Sequence, residues 1–197
     1  EAERHMPMMA LLYGPALFLA TFSLTAVALY ALRRRDVPGS QSYGLVLLSA
    51  ASWALLVALE TQTHDAAVKL SLHRLSWVGI LSVNVFSLYF LADYLHLPYR
   101  LVRWFPFLWA VPLGAVAAIL TNDWHHAFYV GYSVIEPPGV VSLMAGPLLE
   151  IAIFYTLGFG IINAIILGRV AWRSHGRDQR RHGLLLGAML APGPFAI

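Results

Sequence analysis

Cysteine is absent from all 197 residues, which excludes disulfides, thiol nucleophiles and thiolate metal sites. Charge is almost as scarce. Only 12% of residues are Asp, Glu, Lys or Arg, against roughly 25% in a soluble domain. The 13 basic and 10 acidic residues leave a net charge of +3, and the arginines cluster in loops instead of forming a surface that would neutralise a phosphate backbone. No nucleic-acid partner is expected. What fills the chain instead is apolar, at 59% hydrophobic, and the composition is that of a membrane protein embedded in a lipid bilayer.

Residues 1–7 read as a polar tail or expression remnant. The bundle proper is expected over 8–197, in spans at about 8–32, 43–59, 66–95, 105–120, 143–172 and a last one at 183–197 that is cut short. The first run, from Met8 to Leu32, is too long for a signal-peptide core and long enough to cross a hydrocarbon layer of roughly 30 Å. Asp36, Pro38, Gly39 and Ser40 supply turn chemistry before the second. The long connection from Thr121 to Ser142, with Trp124, Phe128, Tyr129 and Tyr132 and a close at Pro137, Pro138 and Gly139, fits an interfacial cap or short hairpin.

Basic residues orient these spans. Arg33, Arg34 and Arg35 follow the first, Arg100 and Arg103 the third, and Arg169, Arg173, Arg177, Arg180 and Arg181 surround the end of the fifth, whereas the opposite side holds only Arg4, Lys69 and Arg74. Cytoplasmic loops retain Lys and Arg. The amino terminus is therefore expected outside, and the fold class is all-α: a polytopic transmembrane helical bundle with six of an expected seven spans. A further helix beyond Ile197 would return the chain to the cytoplasm.

Trp53, Ala58, Leu59 and Glu60 close the second span; Lys69 opens the third, followed by Leu75, Gly79, Phe90 and Tyr94; Thr121, Asn122 and Asp123 end the fourth, with His125 and His126 just beyond. Gly146 and Pro147 then lead into a long helix with a basic exit. In that order and spacing the residues resemble the amino-terminal seven-helix sensor region of bacterial histidine kinases, a module similar to those found in front of diguanylate cyclase and phosphatase outputs. The resemblance covers about Tyr43 to Pro192. Its most specific piece is Thr121-Asn122-x-x-His125, which it implies is a structural hallmark. It also implies a multi-pass protein of the bacterial inner membrane whose cytoplasmic output domain follows in the same chain, and a homodimer, since such outputs act in pairs.

The ionisable residues placed within the spans are candidates for the input site. Glu60 has Lys69, His73 and Arg74 across a short connection, so it forms either a helix-end ion pair or a ligand contact. Lys69 and His73 share a helix face; Arg74 is expected to snorkel to the headgroups. Glu150, in the outer third of span five, has no basic residue within a turn and needs a partner from another helix, which suggests a cluster of Glu60, Lys69, His73 and Glu150. Asn84 and Asn163 bring amides into hydrocarbon, where interhelical hydrogen bonds or a signal molecule would use them. Trp53 and Trp77 either pack or line a cavity. Asp93 faces the arginine side, where pairing with Arg100, Arg103 or Arg33 to Arg35 could transmit a signal.

Nothing in the chain converges as a catalytic site, and no cofactor or metal is expected: His125 and His126 are adjacent, so they diverge, and no third ligand comes at a recognisable spacing. The reading is a membrane sensory domain that detects an extracytoplasmic or membrane-borne small molecule and relays it to a histidine kinase or cyclase output. The alternative is a small-solute transporter or channel, which would require broken helices with paired polar groups and internal symmetry.

Overall fold

A computed structural model describes residues 2–98, 103–135 and 139–173, with side chains from Tyr13 onward; the expected sixth span, Arg100, Pro137 and Pro138 lie outside the described residues. The chain divides into two units, Glu1–Ile153 and Phe154–Ile197.

In the first unit, three long helices run up and down: α1 (Ala2–Arg33), α2 (Ser40–Gln62) and α3 (Ala66–Tyr94). At 1.5 Å per residue, α2 and α3 extend about 35 and about 44 Å, enough to cross a bilayer. Gly39 opens α2 from a left-handed conformation (φ 79°). Asp65 opens α3 by accepting from Ala67 N at 2.8 Å and Val68 N at 3.1 Å, which satisfies two of the amides a helix start leaves free. Small residues set the helix spacing. A Cβ on Gly44 would sit 2.7 Å from Leu32 Cγ, and one on Gly79 would sit 2.8 Å from the Ser49 carbonyl oxygen, so α1 meets α2 and α2 meets α3 at glycines.

The distribution of polarity is inverted relative to a soluble domain. Leu19 and Phe22 on α1, and Leu75 and Val78 on α3, are exposed, while Glu60, Lys69, Ser76, Asn84 and Ser87 are buried among the helices. Water would penalise such an apolar exterior; lipid does not. Among the described residues, four helical segments are long and apolar enough to cross a membrane: Tyr13–Arg33, Ser40–Gln62, Ala66–Tyr94 and Pro147–Val170. The fold is an all-α membrane bundle.

Two expectations change. The segment expected to be a full fourth span is shorter than the other four: a 3-10 turn at Phe105–Trp109, with Pro106 in its first positions, leads into α4 (Ala110–Leu120). Pro106 and Pro112 have no N–H to donate. Residues 143–145, expected to begin the fifth span, belong to a strand. One turn of helix, α5 (Asn122–His125), is followed by β1 (Tyr129–Ile135) and β2 (Val140–Ala145), which pair antiparallel with Tyr132 opposite Leu143 and Val134 opposite Val141. The following helix, α6 (Pro147–Arg173), starts at the proline, a residue suited to a first helical turn.

The second unit contains the rest of α6 as far as it is described. The Tyr155 and Phe159 rings meet within it at a tilt of 38°, centroids 4.4 Å apart.

Candidate functional site

The connection between α2 and α3 is three residues long, Thr63 to Asp65, so the last turn of one helix lies beside the first turns of the next. This brings Glu60, Lys69 and His73 together. The Glu60 side chain is fully buried, and both of its oxygens accept: Oε1 from the Val141 amide of β2 at 2.5 Å, and Oε2 from His73 Nδ1 at 3.2 Å. A carboxylate only accepts, so His73 presents Nδ1–H here. Tyr13 of α1 lies within electrostatic reach of the same carboxylate.

Lys69, also buried, donates from Nζ to the Glu60 carbonyl at 3.3 Å and to the Gly139 carbonyl at 2.5 Å. The Glu60 carbonyl is in the last turn of α2, where oxygens lack intrahelical partners and the helix dipole favours a cation. One ammonium thus caps α2 and ties it to the hairpin. Glu60 and Lys69 both hold the hairpin by its main chain.

A second attachment lies one turn further along α3. Arg74 donates from Nη2 to Asp123 Oδ1 at 2.6 Å and from Nη1 to Asp123 Oδ2 at 3.3 Å, and also to the Tyr129 hydroxyl. Its guanidinium lies 5.4 Å from the Tyr129 ring centroid. The Arg74 hydrogen bonds hold the exposed Asp123 carboxyl below its ordinary value. Trp77 meets Phe128 edge to face at 5.5 Å.

The turn before β1 is built by its own side chains. Asn122 is fully buried; its Oδ1 accepts from Phe128 N at 2.9 Å and Tyr129 N at 3.1 Å, and its Nδ2 donates to the Tyr129 carbonyl at 2.8 Å. His125 Nδ1 accepts from Ala127 N at 2.9 Å while Nε2 is 3.0 Å from Thr121 Oγ1, whose own proton goes to the Ala117 carbonyl at 2.8 Å. Only the neutral Nε2–H tautomer completes that chain.

Residues 16–196 match the family described as the N-terminal 7TM region of histidine kinase. The chain belongs to that family. No curated protein and no solved structure matches it. Membership makes it a membrane-spanning region of the kind that precedes a histidine kinase; the physical account of the Thr-Asn-x-x-His turn comes from its hydrogen bonds, by which Asn122 and His125 fold the entry to the hairpin.

The remaining candidates fall in different places. Glu150 does not join Glu60, Lys69 and His73. It is exposed in the first turn of α6 and has no ion-pair partner among the described residues; a carboxylate there is favoured by the helix dipole and needs no partner. Arg74, expected to reach for headgroups, is instead held by Asp123 and Tyr129. Trp53 is half-buried beside Gly79, and Asn84 is buried within α3. Asp93, at the arginine end, accepts from Ser42 of α2, and Arg103 stacks on Trp104 at 5.3 Å. An open cavity of about 500 Å³ adjoins Asp93, lined also by Arg35, Gln41 and His96. Among the described residues no three His, Asp or Glu side chains converge to hold a metal ion.

Sequence reasoning missed the Gly139 carbonyl, the Val141 amide and Tyr13. The first two are backbone groups without a sequence signature. Arg74 had a readable signal in Asp123, a carboxylate in the turn that caps the same end of the bundle.

Proposed function

We propose that this sensor region receives its signal at the hairpin end, outside the cytoplasm of a bacterial cell, and relays it to a cytoplasmic histidine kinase or cyclase output at the arginine end. The observation that carries this reading is the buried Glu60 carboxylate, which joins α2, α3 and β2 through two acceptor oxygens. A small molecule that competes for either oxygen, or that lifts the hairpin, favours one helix packing over another. Signalling requires that difference in binding between two states.

The test is autophosphorylation of the intact protein in proteoliposomes. Glu60→Gln keeps an acceptor for Val141 but removes the charge facing His73, and it is expected to change basal output severalfold without loss of the folded bundle. Output identical to wild type would sink the reading, as would robust solute uptake by the purified protein, which belongs to a transporter.

A further inference from the structure

Two hydrogen-bond donors on α3 have no acceptor among the described residues. They are Arg74 Nε and Trp77 Nε1, both buried. Positions i and i+3 share a helix face, and both side chains address one corner of the cap, Arg74 through the Tyr129 ring and Trp77 through Phe128. Trp77 is 6% exposed. A buried N–H that has given up water and found no partner is a standing cost, and native structures rarely leave two together.

The neighbouring acceptors are already committed. Asp123 and the Tyr129 hydroxyl serve the terminal nitrogens of Arg74, the Phe128 carbonyl accepts from Gly146 N, and Asn122 Oδ1 holds two amides. The missing acceptor must come from outside the described residues.

We propose that Arg74 Nε and Trp77 Nε1 are the reading head for a carboxylate-headed amphiphile. The carboxylate accepts from both donors, and the tail lies along the apolar, exposed Leu75 and Val78 of the same helix. A carboxylate is favoured because it offers an acceptor oxygen to each of the two N–H donors, whereas an ammonium only donates and can serve neither. Entry between α3 and the Phe128 to Tyr129 corner separates the ring pairs there, so the occupied state differs from the closed one. The assignment rests on the sensor reading and specifies the chemistry of its ligand.

The probe is decanoate, added to the intact, 15N-tryptophan-labelled protein in neutral phosphatidylcholine nanodiscs. The indole N–H signal of Trp77, identified by its loss in Trp77→Phe, is expected to move downfield and saturate, while Arg74→Lys weakens the apparent affinity about tenfold or more. Decylamine, with the same tail and the opposite charge, is expected to leave the signal in place. This comparison needs no variant, so it holds even if Arg74→Lys fails to fold, which the other indole signals would report. A signal that never moves, moves equally with decylamine, or saturates unchanged in folded Arg74→Lys overturns the site. If the site fails while Glu60→Gln still alters autophosphorylation, the sensor reading stands without it. If decanoate seats as described and output responds to neither decanoate nor Glu60→Gln, the sensor reading falls and the site remains.

Discussion

Asn122 satisfies three backbone groups with one side chain, and removing it would strand all three. Asn122→Ala leaves the Phe128 and Tyr129 amides and the Tyr129 carbonyl buried without partners, at roughly 1 to 3 kcal/mol for the first such group and less than additively after that. Faster hydrogen exchange at Phe128 and Tyr129, with α2 amides unchanged, is the expected result. Asp123 predicts a pH effect of definite sign. Its carboxyl is held below the ordinary 3.8 by Arg74, so its contribution is complete above that value and is lost as pH falls through the lowered one. Thermal unfolding followed from neutral to strongly acidic pH is expected to show this component disappear in Asp123→Asn. Glu60, Lys69 and His73 were legible as a group because a short connection forces them together, whereas the main-chain partners were not. The Val141 amide is 81 positions away from Glu60, and an amide looks the same at every residue. Glu150 misled for a related reason: depth along a helix says nothing about which way the side chain turns.

Among the elements, α2 and α3 are the pair whose packing tolerates least. A Cβ at position 79 would press on the Ser49 backbone oxygen at 2.8 Å, which cannot rotate away, whereas at position 44 its nearest atoms belong to the Leu32 side chain, which can shift, and the backbone oxygen of Ala28 lies farther off at 3.2 Å. Gly79→Ala is therefore expected to cost about 1 to 3 kcal/mol, more than Gly44→Ala, and Gly114→Ala, with open space around it among the described residues, should gain up to about 1 kcal/mol from helix propensity. Thermal denaturation of the three variants in one detergent gives the order. The long helices could be read from apolar length and flanking turn residues. The strand ending at Ala145 could not be separated from α6, because a short apolar run is compatible with either conformation; Gly146 and Pro147 mark the true boundary. The fourth segment was legible as an apolar run over 105–120, and Pro106 and Pro112 account for its 3-10 start and its short α-helix.

For the molecule as a whole, the inverted polarity suits a lipid setting, and the arginine asymmetry predicts a direction across the bilayer. Because these 197 residues hold no cysteine, a single thiol introduced among them meets no background from this region and can report that direction. Ser133→Cys, on the exposed part of β1, is expected to react with an impermeant maleimide added to whole cells, and Arg34→Cys only after lysis; the opposite pattern would invert the topology. The attachments of the hairpin have a different kind of consequence. Glu60, Lys69 and Asn122 all grip it by peptide groups, at Val141, Gly139, Phe128 and Tyr129, and a peptide group is common to every sequence. Beyond Phe128 and Tyr129, whose side chains meet Trp77 and Arg74, the hairpin is held like an interchangeable cartridge: its outward side chains can be rewritten while the main-chain fastening to the helices stays the same.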